Sequence, residues 1–209
     1  MKLPENSGAD YAPTPMGQHT AILTRLIDLG TQPGSSKYPD PKRKVLFGWE
    51  IPEHRIEFER DGEKVSGPVM HFERWTLSSG QKSIMRQRLE AWRGVPFSDA
   101  DFGNFDLQTL LGVPALMQIT HDPKDGTVYA NLTAIMKLPG VKRESWPQPE
   151  GELIYVSLEQ GEFDRTAFDK LSDRLKEKIS TSPEYRSLMG ETLPDMPPAE
   201  PELEDEIPF

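Results

Sequence analysis

The change of hydrophobic period along the chain limits its fold more than any other feature. Lys44 to Ile51 reads KVLFGWEI and sets Val45, Phe47, Trp49 and Ile51 on one side of an extended chain, the two-residue period of a half-buried strand. His19 to Thr31 (HTAILTRLIDLGT), rich in Ile, Leu and Thr and bounded by glycine, predicts a strand before it. Pro68 to Leu77 (PVMHFERWTL) predicts a third, and Asp61-Gly62 marks the turn of a further short hairpin with Arg55 to Arg60 as one arm. The period then becomes helical. Ser79 to Arg93 (SGQKSIMRQRLEAWR) contains no proline, places Ile84, Met85, Leu89 and Trp92 near one face, and stops at Gly94. A second short helix over Asp106 to Leu111 closes on Gly112. Val113 to His121 and Thr127 to Leu138 alternate again, joined by the hairpin sequence DPKDG.

Three strands, a helical segment and a two-stranded hairpin follow the order of the OB-fold, a five-stranded barrel with its helix between strands three and four. Several small β folds share that order. The expected fold is therefore mainly β, an OB-fold barrel with a C-terminal helical extension and a disordered acidic tail. The chain divides into a flexible arm (1–17), the barrel (18–140), a strand and helix extension (141–189) and the tail (190–209). In the extension, Leu153 to Leu158 reads as a strand and Asp164 to Ile179 as one amphipathic helix carrying Phe168, Leu171, Leu175 and Ile179. Ser182 and Pro183 open another helical turn as its N-cap and first residue. A hydrophobic content of only 35%, with 20 prolines and 16 glycines in 209 residues, fits long loops and unpacked ends.

Catalytic residue types are sparse. The chain has no cysteine, which excludes disulfides, thiolate zinc sites and cysteine nucleophiles. Its four histidines, His19, His54, His71 and His121, show neither HxxxH nor HxH spacing and read as strand-face residues. Asp99 and Asp101 in SDADFGNFD read as helix-capping residues. Phosphate-cradling glycine motifs and a GxSxG elbow are missing. The expectation is a protein without catalysis, cofactor or metal. The first residues, MKLPENSGADYAPTP, lack the apolar core of a secretory signal, and no apolar run approaches the ~18 residues of a membrane span, so a cytoplasmic protein without a membrane partner is expected.

Charge is distributed unevenly. The formal net charge is −10, yet 190–209 holds seven acids and no lysine or arginine, leaving −3 for the rest. Lys42 to Arg93 holds eleven Lys and Arg against eight Asp and Glu, a local excess of +3. A positive centre beside an acidic tail points to a polyanion, since phosphates are neutralised by a local field. Single strands are held by cations that track the backbone and rings on which bases stack. Both types are interleaved at Lys37, Tyr38, Lys42, Arg43 and Lys44 in the first loop, and at Phe72, Arg74 and Trp75 on the third strand. Lys82, Arg86 and Arg88 follow on the helix, and Tyr129 and Lys137 on the fifth strand, on a face shared with Asn131 and Thr133. The expected DNA contacts are Lys37, Tyr38, Arg43, Lys44, Phe72, Arg74, Trp75, Lys82, Arg86, Tyr129 and Lys137. Trp49 and Trp92 share apolar faces and are assigned to the core.

The chain finishes ELEDEIPF. Five acids in the last ten residues supply long-range attraction that is screened within about 8 Å, so selectivity needs an anchor. Phe209 offers a ring and a terminal carboxylate, and Pro208 stiffens the approach. The ending EDEIPF resembles the acidic C-terminal tip of bacterial single-stranded DNA-binding proteins, where aspartates precede Ile-Pro-Phe. Carried over by position, the resemblance implies that Asp205, Glu206, Ile207, Pro208 and Phe209 recruit replication, recombination and repair proteins, the Phe entering a partner's pocket. Glu204 and Glu206 stand where that tip has aspartates, which preserves charge. The stretches YAPTPMGQHTAILTRLIDLGTQ, FGWEIP, QKSIMRQRLEAWRG, FDLQTLLG and YANLTAIMKLP are similar to a family of phage and prophage OB-fold single-stranded DNA-binding proteins, over roughly 11–140. That resemblance implies a coat on single-stranded DNA, with host or phage proteins as tail partners. An adaptor that binds protein, with a tail mimicking the host tip, and an accessory subunit of a nuclease or recombinase are the rival expectations. The sequence does not choose between monomer and homodimer.

Overall fold

The computed structural model describes residues 13–35, 38–60, 62–124 and 126–190. The expected contact Lys37 and the tail residues Asp205 to Phe209 lie outside them, as does the tail beyond Gly190. Six strands form one sheet: β1 (Gly17–Gln32), β2 (Lys42–Arg60), β3 (Glu63–Thr76), β4 (Pro114–Lys124), β5 (Thr127–Lys137) and β6 (Ile154–Val156). The order is β3-β2-β1-β4-β5, antiparallel throughout, with β6 added parallel to β1 at Arg25 to Ile27. The short hairpin expected with Arg55 to Arg60 as one arm is instead the far end of one long β2–β3 ribbon, paired as far as Arg60–Glu63, because β2 continues past Ile51 through a register shift between Ile51 and Arg55.

The protein is mainly β, as the period predicts, but its sheet is open: among the described residues no ladder joins β3 to β5. Helix α1 (Ile84–Arg93) packs against both of these strands. Ser83 caps it by accepting from the Arg86 amide, and Gly94 ends it at φ 81°, a left-handed value that glycine adopts without strain. The backbone of Leu132 on β5 is satisfied across the gap by side chains. Its N–H donates to Glu73 of β3 at 3.0 Å, and its carbonyl accepts from Arg88 of α1. Charged side chains thus stand where a closed barrel would have ladder hydrogen bonds.

Strand β1 bends to serve two neighbours. Gly17 to Ile22 pair with β4 and Ile22 to Gln32 with β2, with register shifts at Leu23/Arg25 and Asp28/Gly30. These bulges turn the strand so that both of its sides are covered. One side holds Leu23, Leu26, Phe47, Trp49, Trp75 and Trp92 in a core closed by α1. Phe47, Trp49 and Trp75 sit with ring centroids 4.3–5.7 Å apart.

The C-terminal segment covers the other side. Ile27, Leu29 and Leu46 of the sheet meet Val156, Phe168, Leu171, Leu175 and Ile179 in a second cluster. The expected single helix over Asp164 to Ile179 is two, α3 (Arg165–Asp169) and α4 (Asp173–Ser180). The chain tightens between them through Lys170 N–H to Ala167 and Leu171 N–H to Phe168 bonds, while the four apolar residues keep their common face. Helix α5 (Pro183–Leu188) begins at Ser182 as expected. Between α1 and β4 lie a short helix (Asp99–Gly103) and a 3-10 turn (Leu107–Leu110), capped by Ser98 and Asp106. Part of the supposed flexible arm is fixed: Thr14 is buried and hydrogen-bonded to His71. No helix among the described residues is long and apolar enough to cross a membrane.

Candidate nucleic-acid interface

The β2–β3 register gathers three of the expected residues on the sheet's outer face. Lys44 lies opposite Thr76, Leu46 opposite Arg74, and Gly48 opposite Phe72. Directly paired residues share a face, so Lys44, Arg74 and Phe72 form a diagonal strip beside the edge of β3. Gly48 makes the row continuous. A Cβ there would stand 2.7 Å from the Phe72 ring and 3.0 Å from Arg25 Cβ, so its absence lets the two side chains meet over β2. The Arg25 guanidinium carbon lies 5.8 Å from the Phe72 centroid, within cation–π range. Phe72, Arg74, Lys44 and Arg25 are all half-buried.

Boundaries of the strip are also set by named groups. At one end the buried carboxylate of Glu50 accepts from the amides of Glu150 and Gly151, at 2.9 and 3.0 Å, which ties the C-terminal segment down. At the other end stands the β1–β2 loop, with Tyr38 exposed at 66% and bridged to Ser35. Lys82 is exposed in the connection that follows β3. A basic and aromatic strip with an exposed tyrosine at its end can take phosphates and stacked bases.

Several expected contacts lie elsewhere. Trp75 is 3% exposed, packed on Phe47 and Trp49, and presents no face to a base. Its strand side reads as mixed because His71 and Glu73 accompany it, and both are satisfied inside, by Thr14 and by the Leu132 amide. Arg86 is 6% exposed and bonded to Glu90, Asp99 and the Phe97 carbonyl. It is a buried tie between α1 and the following helix, not a phosphate ligand. Its hydrogen bond holds the Asp99 carboxyl below the usual range, helped by Gln81. Glu90 is lowered by the Phe97 amide and then by Arg86. Arg43 is committed to Asp28 and Glu159.

Tyr129 and Lys137 do not share a face. A bulge at Thr133, between the pairs Gln118–Ala134 and Ile119–Leu132, reverses the alternation of β5. They also lie on β5, at the opposite end of the strand order from β3. Arg25 is the residue that sequence reasoning missed; only the register of β1 on β2 brings it beside Phe72. The cleft between the 3-10 turn and the C-terminal segment is lined by Glu152, Glu162, Asp164 and Lys170, an acidic set unsuited to phosphates. No family model matches this chain, and no curated protein is similar to it.

Proposed function

We propose that this protein binds single-stranded DNA with little sequence preference, coating it during phage replication or recombination, and recruits partner proteins through its C-terminal tip. The observation that carries this reading is the strip of Lys44, Arg74, Phe72 and Arg25 on the outer face of β2–β3, flanked by Tyr38. The strand order, with α1 between β3 and β4, supports an OB-type architecture opened between β3 and β5. In such folds the face of strands two and three and the adjoining loop bind oligonucleotides. Stacking on Phe72 and Tyr38 is indifferent to base identity because every base has a π-face, and the cations follow the backbone. The tail residues Asp205 to Phe209 act on proteins in this reading, not on DNA.

A fluorescence titration of the full chain with oligo-dT, against duplex DNA of equal length, tests it. Saturable binding to oligo-dT at low salt that weakens as salt rises is the expected result. Absence of binding at low salt would favour the protein-binding adaptor instead.

A further inference from the structure

We propose that His19, His54 and Glu53 form a binding site for a borderline transition-metal dication, zinc in the first instance, at the root of the β2–β3 ribbon. The spacing of the histidines along the chain gives no sign of it, because the donors come from β1 and from a bulge in β2. Pairing passes directly from Ile51–Val69 to Arg55–Pro68, so Pro52, Glu53 and His54 have no counterparts on β3. Neighbours on a regular strand point to opposite faces. Released from that alternation, Glu53 and His54 both reach the same ring nitrogen of His19.

The geometry resembles three corners of a ligand tetrahedron. His19 Nδ1 stands 2.9 Å from Glu53 Oε1 and 3.2 Å from His54 Nε2, and the three donor atoms lie within 4.8 Å of one another. Bonds of 2.0–2.1 Å to a tetrahedral zinc place ligand atoms about 3.3 Å apart. The His19 and His54 rings are nearly perpendicular at 76°, which lets both nitrogens aim at one point without a ring clash.

Hydrogen bonding fixes the state of His19. Its Nε2 lies 2.7 Å from the Pro15 carbonyl, and a carbonyl can only accept, so Nε2 carries the hydrogen. Nδ1 is thereby the ring nitrogen available as a ligand, and it faces the Glu53 carboxylate and His54 Nε2, with the ring itself 4% exposed. A metal cation there takes the place of a proton shared among these groups. A ring N–H given to a backbone carbonyl is also the usual outer-shell support of a metal-bound imidazole. Two imidazoles and one carboxylate suit zinc or a neighbouring transition ion and disfavour magnesium and calcium, which take oxygen ligands. Three protein ligands leave the fourth position to water. Filled, the site joins β1, the β2 bulge and, through Pro15, the segment before β1.

Titration of metal-stripped, full-length protein with zinc sulfate, followed by calorimetry and by thermal midpoint, tests the site. The expected result is one zinc per chain with a raised midpoint. Glu53→Gln, at an exposed residue, and His54→Ala, at a half-buried one, should each weaken binding more than about tenfold while leaving the metal-free midpoint unchanged. His121→Ala, which alters a histidine bonded to the Thr14 carbonyl, should bind as the wild type does. No saturable binding, or wild-type affinity in both His54→Ala and Glu53→Gln, would overturn the assignment.

Discussion

At the scale of the residue, Phe72 and Trp75 show what a strand sequence conveys and what it leaves out. Both sit in HFERWT, three positions apart, so alternation alone puts them on opposite faces. It does not say which face is inside, because the inner one also carries His71 and Glu73, whose polar atoms find partners that only the fold supplies. The four core positions from Val45 to Ile51 carry large, mainly apolar side chains on one side of the strand and are legible from the period alone. Phe72→Leu keeps the apolar volume and removes the ring, so oligo-dT affinity should fall by a stacking energy of about 1–3 kcal/mol, roughly five- to 150-fold. Circular dichroism should show the fold unchanged. Arg86, expected as a phosphate ligand, holds the Asp99 carboxyl below its usual range and adds to the Phe97 amide in lowering Glu90. A depressed carboxyl stabilises the fold above its unfolded value, about 4, and that stabilisation disappears as pH falls through the folded value. The wild-type melting temperature should therefore drop below about pH 4 by more than that of Arg86→Met.

At the scale of the element, the sequence conveyed identity better than extent. The strands and α1 fall where the periods place them, and Ser182-Pro183 opens α5. Bulges escaped notice because an extra residue leaves no mark on local composition. The bulge at Thr133 moved Lys137 to the other face, and the one at 52–54 extended β2 into a ribbon. Close approach decides the docking of the C-terminal segment. Gly30 adopts φ +68°, and a Cβ there would stand 2.4 Å from Ser182 Cβ. Beside it, Glu184 accepts from the Thr31 amide at 2.8 Å and from its hydroxyl at 2.6 Å. Gly30→Ala combines steric overlap with a strained backbone. It should lower the melting temperature by several degrees and make α5 the first site of limited proteolysis, with cleavage unchanged in the β2–β3 ribbon.

At the scale of the whole molecule, two apolar clusters fix a sheet covered on both sides, and the basic strip borders the second of them on the outer face, with the half-buried Phe72 packed against it. That the second cluster lies behind β1 was written in the nearly unbroken apolar run of AILTRLIDL, although the run does not name its partner. Charge asymmetry was fully legible, and it predicts competition: a tail of −7 should occupy the strip when DNA is scarce. Truncation after residue 189 should tighten oligo-dT binding at low salt and lose that advantage at high salt. Deleting Phe209 should leave DNA affinity intact and abolish capture of proteins that recognise such tips, as a pull-down would show. The claim that the β2–β3 strip holds the DNA backbone is tested most directly by the salt dependence of oligo-dT affinity in the Lys44→Ala/Arg74→Ala double variant. Each lost phosphate contact removes about 0.7 from the slope of log K against log salt, so the double variant should be shallower than wild type by about 1.4. An unchanged slope, with the fold intact, would contradict it.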